Sequence, residues 1–94
     1  MMNIREKISF AIYANRVIQF NYTKINGDKG ARTGEPYEIR ETKSGNELLV
    51  LWDLYRNSWR YFRMESIKGV KILDETFRNR RFSYIEPDYY RKAR

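Results

Sequence analysis

The residues of this chain best suited to chemistry with a ligand are arginines set among aromatic rings. In "SWRYFRMESIKGV", Ser58 to Val70, Arg60 and Arg63 alternate with Trp59, Tyr61 and Phe62. A guanidinium pairs with phosphate through a planar fork of donors and stacks on flat rings. An aromatic side chain adds a platform worth about 1–3 kcal/mol per stacked base. The combination suits recognition of an anionic, planar ligand such as a nucleotide. The plainer alternative is a strand whose long side chains lie along the surface, with Arg63 paired to Glu65. As a strand, the segment sends Ser58, Arg60, Phe62 and Met64 to one face and Trp59, Tyr61, Arg63 and Glu65 to the other. Each face then carries both a cation and a ring, unlike the clean apolar and polar faces of a half-buried strand.

Other chemistries are poorly provided for. The chain has no Cys and no His, so disulfides, Cys/His zinc sites, thiol nucleophiles and imidazole bases are all excluded. Glu35 and Asp53 lie in separate segments without a carboxylate motif, and "GDKG" lacks the spacing and strand-to-helix setting of a phosphate loop. The expectation is a protein that is not an enzyme, with no cofactor and no metal.

At 94 residues the chain holds one domain with one core. The 19 Lys and Arg outnumber the 12 Asp and Glu, giving a formal charge of +7 that favours acidic partners, nucleic acid foremost. No apolar run approaches the roughly 18 residues that span a bilayer, and "MMNIREKISF" has no signal-like apolar block. No membrane association and a cytoplasmic location are therefore expected.

Periodicity supplies the scaffold for these arginines. "NIREKISFAIYAN" reads as an amphipathic helix over residues 3–14, capped by Asn3 with Glu6 three residues on, and ending at Asn15. "VIQFNYTKI" then alternates Ile18, Phe20 and Tyr22 against Gln19 and Asn21, a strand pattern. "NGDKGARTG", Asn26 to Gly34, reads as a turn or long loop, and a second strand is expected from near Pro36. "SGN" marks a hairpin turn before "ELLVLWDL", the most apolar strand, with Trp52 assigned to the core. "WRYFRME" and "IKGVKIL" complete five strands, Gly69 allowing a bend in the last. From Asp74 no period is sustained, and Phe77 and Phe82 are expected to pin a basic tail to the body. The reading is a mainly β domain with an N-terminal helix, closed as a small five-stranded Sm-like or SH3-like barrel. An open sheet covered by the helix is the alternative.

The order of "ISFAIYANRVIQFNY", "RTGEP", "LLVLWD", "RYFRMESI" and the Phe of "DETF" resembles the WYL domain family over about residues 4–82. The resemblance implies an Sm-like barrel and a ligand-sensing module of bacterial transcription regulators, one that usually follows a helix-turn-helix domain and binds nucleic acid or a nucleotide-type signal. Carried across, the family's Tyr at the end of the first strand is Tyr22, its Arg before the proline is Arg32, and its R-x-F-R is Arg60, Phe62 and Arg63. With Tyr61 from the strand reading, Tyr22, Arg32, Arg60, Tyr61 and Arg63 are the candidate ligand-binding residues. Two departures are visible: Glu47-Leu48-Leu49 replaces the family's naming triplet, and Ser66 replaces a further arginine. The expectation is a regulatory module, free-standing or a fragment of a larger protein, with residues 1–82 as the domain and a basic tail at 83–94, linked to transcription or defence-system regulation. A protein-interaction or oligomerisation module without a nucleic-acid ligand of its own is the alternative.

Overall fold

The capping box expected at Asn3 starts the first element. Asn3 Oδ1 accepts from the Glu6 amide at 2.8 Å, and Glu6 Oε1 accepts from the Asn3 amide at 2.9 Å. Helix α1 runs Ile4–Ala14 and stops at Asn15, whose left-handed φ of 52° turns its amide onto the carbonyls of Ala11 and Ile12. The computed structural model of the chain describes residues 1–80. After α1 come β1 (Arg16–Thr23), β2 (Lys29–Glu41), β3 (Glu47–Asp53) and β4 (Ser58–Arg63). A 3-10 turn (Met64–Ser66) then leads to β5 (Ile67–Thr76).

The strands form one antiparallel sheet in the order β4-β3-β2-β1-β5. Four consecutive strands make a meander, and β5 returns to the free side of β1. The ladder leaves β4 and β5 as its two edges, so the structure is mainly β with an N-terminal helix, and backbone pairing does not close the barrel.

Gly30, Gly34 and Pro36 do not belong to a loop and a strand start, as composition suggested, but to the body of β2. The β1–β2 turn is short, with the Lys24 amide on the Asp28 carbonyl at 2.8 Å and Gly27 at φ 92°. Gly34 is required where β2 crosses β3, because a Cβ there would lie 2.5 Å from both Leu51 Cδ2 and the Trp52 carbonyl oxygen. Pro36 sits where the β2–β3 register shifts between Pro36 and Glu38, so its missing N–H falls at an irregularity.

The core lies between α1 and the sheet. Ile8 and Ala11 of α1 pack on Ile18 and Phe20 of β1, Leu49 and Leu51 of β3, Phe62 of β4, and Ile67 and Val70 of β5. Phe62 is the keystone, edge-on to Phe20 at 5.3 Å and to Tyr22 at 4.8 Å between ring centres. Removing so large a buried ring costs about 3–5 kcal/mol. Gly69, at φ 62°, sits at a register shift between β1 and β5, the bend expected of it.

Three expectations are corrected by the fold. Trp52 lies outside the main core, half-buried on the sheet's other face and edge-on to Trp59. Met64 and Glu65 lie in the 3-10 turn instead of extending β4. Asp74–Thr76 still belong to β5, so the regular structure runs further than the sequence period. Phe77 does pin the chain at the end of β5, its amide bonded to the Asn15 carbonyl at 3.0 Å and its ring 5.3 Å from Tyr37. Phe82 and the tail at 83–94 lie outside the described residues. Among the described residues no helix is long and apolar enough to cross a membrane.

Candidate functional site

Tyr22 ends the buried face of β1 and stands opposite Gly30 of β2. Its ring is held by Phe62, and its hydroxyl accepts a hydrogen bond from the Arg63 amide at 3.1 Å. Arg63 then folds back over β1: Nη2 donates to the Thr23 carbonyl at 3.2 Å, and the guanidinium carbon lies 5.8 Å from the Tyr22 ring centre. Nη1 is 3.6 Å from Glu65, the local ion pair that the plainer reading anticipated. These contacts join the end of β4 to the end of β1 through side chains.

The other two arginines are held differently. Arg32, opposite Phe20 in the β1–β2 ladder, lies flat along its own strand over Gly30, where an added Cβ would be 2.7 Å from Nη1. Its Nη1 donates to the Ala31 carbonyl at 3.1 Å, while Nε is buried and meets no hydrogen-bond partner among the described residues. Arg60 lies with its guanidinium carbon 5.7 Å from the Phe62 ring centre. Among the described residues neither Arg32 nor Arg60 pairs with a carboxylate.

The five residues singled out by sequence, Tyr22, Arg32, Arg60, Tyr61 and Arg63, line one groove of about 490 Å³. Lys24, Ile25 and Asn26 of the β1–β2 turn form its lip. Sequence reading passed over those three, although "KIN" directly follows the strand that ends at Tyr22 and Thr23. Ile25, at 87% exposure, is an apolar side chain held out at the tip. No acidic residue lines this groove among the described residues. A neighbouring groove of about 510 Å³ shares Arg63 but mixes Arg5 and Lys68 with Glu47 and Glu65, so its charges compensate locally. Arg5 and Glu47 are themselves paired. Of these two, the first groove is the one that offers uncompensated positive charge beside rings, at a size that matches a small ligand.

Ser66, where the family's further arginine would stand, is in the 3-10 turn and outside the residues lining the 490 Å³ groove. Glu35 and Asp53 do not converge. Asp53 Oδ1 accepts the amides of Tyr55 at 2.9 Å and Arg56 at 3.1 Å, capping the β3–β4 turn, whereas Glu35 pairs with Arg80. Among the described residues no group of three or more His, Cys, Asp or Glu side chains is placed to hold a metal ion.

The structure is thus an antiparallel meander behind one helix, with a cationic groove between the β1–β2 turn and β4. The family model of the WYL domain matches residues 3–72. The chain belongs to the WYL domain family and is homologous to part of an HTH-type transcriptional regulator. It is 39% identical over 74 residues to YobV of Bacillus subtilis (strain 168), an uncharacterized HTH-type transcriptional regulator. That match covers 79% of this chain and 23% of YobV, so the chain spans about a quarter of its relative's length. In three dimensions it is similar to proteasome accessory factor B/C (PafBC) of Arthrobacter aurescens. The TM-score is 0.71 at 15% identity, over 85% of this chain and 12% of that one, a likeness of fold.

Proposed function

We propose that this domain senses a nucleic-acid or nucleotide-type ligand in the groove between the β1–β2 turn and β4, and that it serves transcription or defence-system control in the cytoplasm. In this reading a phosphate group meets Arg32 and Arg60, and a base lies against Tyr61 and Ile25. Arg63 and Tyr22 form the wall that holds the groove open. The observation that carries the reading is the pair of guanidinium groups, Arg32 and Arg60, that share an acid-free groove without a carboxylate partner among the described residues. A fork of donors in such a setting suits a phosphate. The Sm-like, partly closed form of the sheet belongs to the same proposal: Arg63 and Tyr22 tie the edge strand β4 to β1 through side chains, while the ladder itself ends at β4 and β5.

The test is fluorescence anisotropy of labelled short single-stranded RNA and DNA, with mononucleotides as competitors, at low and raised salt. Binding that weakens with salt and falls again in Arg60→Ala supports the reading. No binding by folded protein at low salt overturns it. A protein-interaction module is the second reading, favoured by the position of β4 and β5 as the two outer strands of the sheet among the described residues. Light scattering would then show a dimer or larger species.

A further inference from the structure

On the face of β2–β4 turned away from the main core, a second constellation is built around Glu35. This carboxylate is 4% exposed and is held in a fork by Arg80, with Nε 2.7 Å from Oε1 and Nη2 3.2 Å from Oε2. The guanidinium carbon stacks 4.7 Å from the Trp52 ring centre. The Arg80 amide donates to the Tyr37 hydroxyl at 2.8 Å, and that hydroxyl donates to Glu35 Oε1 at 3.2 Å. Trp52, Trp59, Tyr37 and Phe77 complete the walls in a chain of edge and tilted contacts.

A buried carboxylate is costly unless it is paired and hydrogen-bonded. Here the acceptor side of the pair is rigid: Glu35 and Trp52 face each other across the β2–β3 ladder, and Tyr37 is buried two residues along. The donor is of another kind, since Arg80 lies beyond the end of β5 and its side chain is 41% exposed. The acceptor is thus built into the sheet, while the donor enters from its rim. Its geometry is specific as well, because two parallel donors and a flat cation over an indole describe a guanidinium and not an ammonium.

We propose that Glu35, Tyr37 and Trp52 form an arginine-acceptor slot, a binding site separate from the groove, and that Arg80 occupies it as a latch drawing residues Phe77–Arg80 across the outer face. With Arg80 withdrawn, the slot takes an arginine side chain supplied in trans. Burial pushes the Tyr37 hydroxyl up to about 12, so it stays a donor to Glu35 at any physiological pH.

Both tryptophans of the chain lie in the slot, so their emission reports its occupancy. Arg80→Ala and Arg80→Lys are expected to shift that emission to the red. N-acetylarginine amide then restores it in Arg80→Ala at millimolar concentration, N-acetyllysine amide does not, and adding Glu35→Gln abolishes the response. Wild-type emission in Arg80→Lys, or equal responses to the two amides, overturns the proposal. Circular dichroism confirms the fold of each variant. Nucleotides take no part in this experiment, so its outcome is independent of the reading of the groove.

Discussion

The Arg63 amide donates to the Tyr22 hydroxyl at 3.1 Å while the Arg63 guanidinium reaches over the same ring to the Thr23 carbonyl at 3.2 Å. Two residues singled out as ligand contacts are thus each other's support. Their first task is mechanical: they fix the end of β4 against β1 and so set the width of the groove. Arg32 and Arg60 are left as the cations that a ligand can claim.

Stability should divide the arginines accordingly. Tyr22→Phe and Arg63→Ala are each expected to cost about 1–2 kcal/mol, from an unpaired amide in one case and the removal of a hydrogen bond and a cation–π stack in the other. The double variant should cost less than their sum. Urea unfolding followed by circular dichroism measures this, and additive losses would mean that the two do not act as a unit.

Ligand affinity should divide them the other way. Arg32→Ala and Arg60→Ala are expected to stay within about 1 kcal/mol of wild-type stability, since both are half-buried and neither pairs with a carboxylate among the described residues. Each should weaken binding of short single-stranded oligonucleotides about tenfold at low salt. Removing one arginine from a phosphate also reduces the slope of log affinity against log salt by about 0.7. Titrations at several salt concentrations give both numbers.

The slot around Glu35 carries a pH signature. Burial first, then the nearby Glu35 charge and its hydrogen bond, raises Tyr37 from its ordinary value of 10.0 to about 12. Between pH 10 and 12 the folded chain therefore holds a proton that the unfolded chain has released, and stability falls as pH rises through that window. Below pH 10 the contribution is complete. Thermal melts in this range should show a steeper decline for wild type than for Tyr37→Phe.

Gly34→Ala is expected to be among the most damaging single changes, at about 3 kcal/mol or more. The new methyl would meet the Leu51 side chain and the Trp52 carbonyl oxygen at 2.5 Å, and that carbonyl cannot retreat without opening the β2–β3 ladder. Gly45→Ala is the comparison, since that glycine has open space around it and only its φ of 87° to lose. Denaturant midpoints for the two variants separate crowding from backbone strain.

What could be read from sequence was local or periodic. The capping box at Asn3 and Glu6, the alternation through Ile18, Phe20 and Tyr22, and the apolar run at Leu49 to Leu51 each state their structure within a few residues. The family pattern then gathered Tyr22, Arg32, Arg60 and Arg63, and the strand pattern added Tyr61. What was missed depends on meetings between distant segments. Gly30 and Gly34 look like loop residues until Arg32 and Leu51 are seen to fill the space a Cβ would need. Glu35 and Arg80, 45 residues apart, give no sign that they share a buried fork. Arg63 bears the same side chain whether it binds a ligand or props a strand, and only its place over Tyr22 separates the two.

Amide chemical-shift mapping of the isotopically labelled domain, with a short single-stranded oligonucleotide at low salt, decides whether the groove is a ligand site. Shifts are expected to concentrate in Lys24–Asn26, around Arg32 and along Ser58–Arg63, and to be largely abolished in the Arg32→Ala, Arg60→Ala double variant. Shifts confined to α1 and β5, or none at saturating oligonucleotide, would contradict a ligand site between the β1–β2 turn and β4.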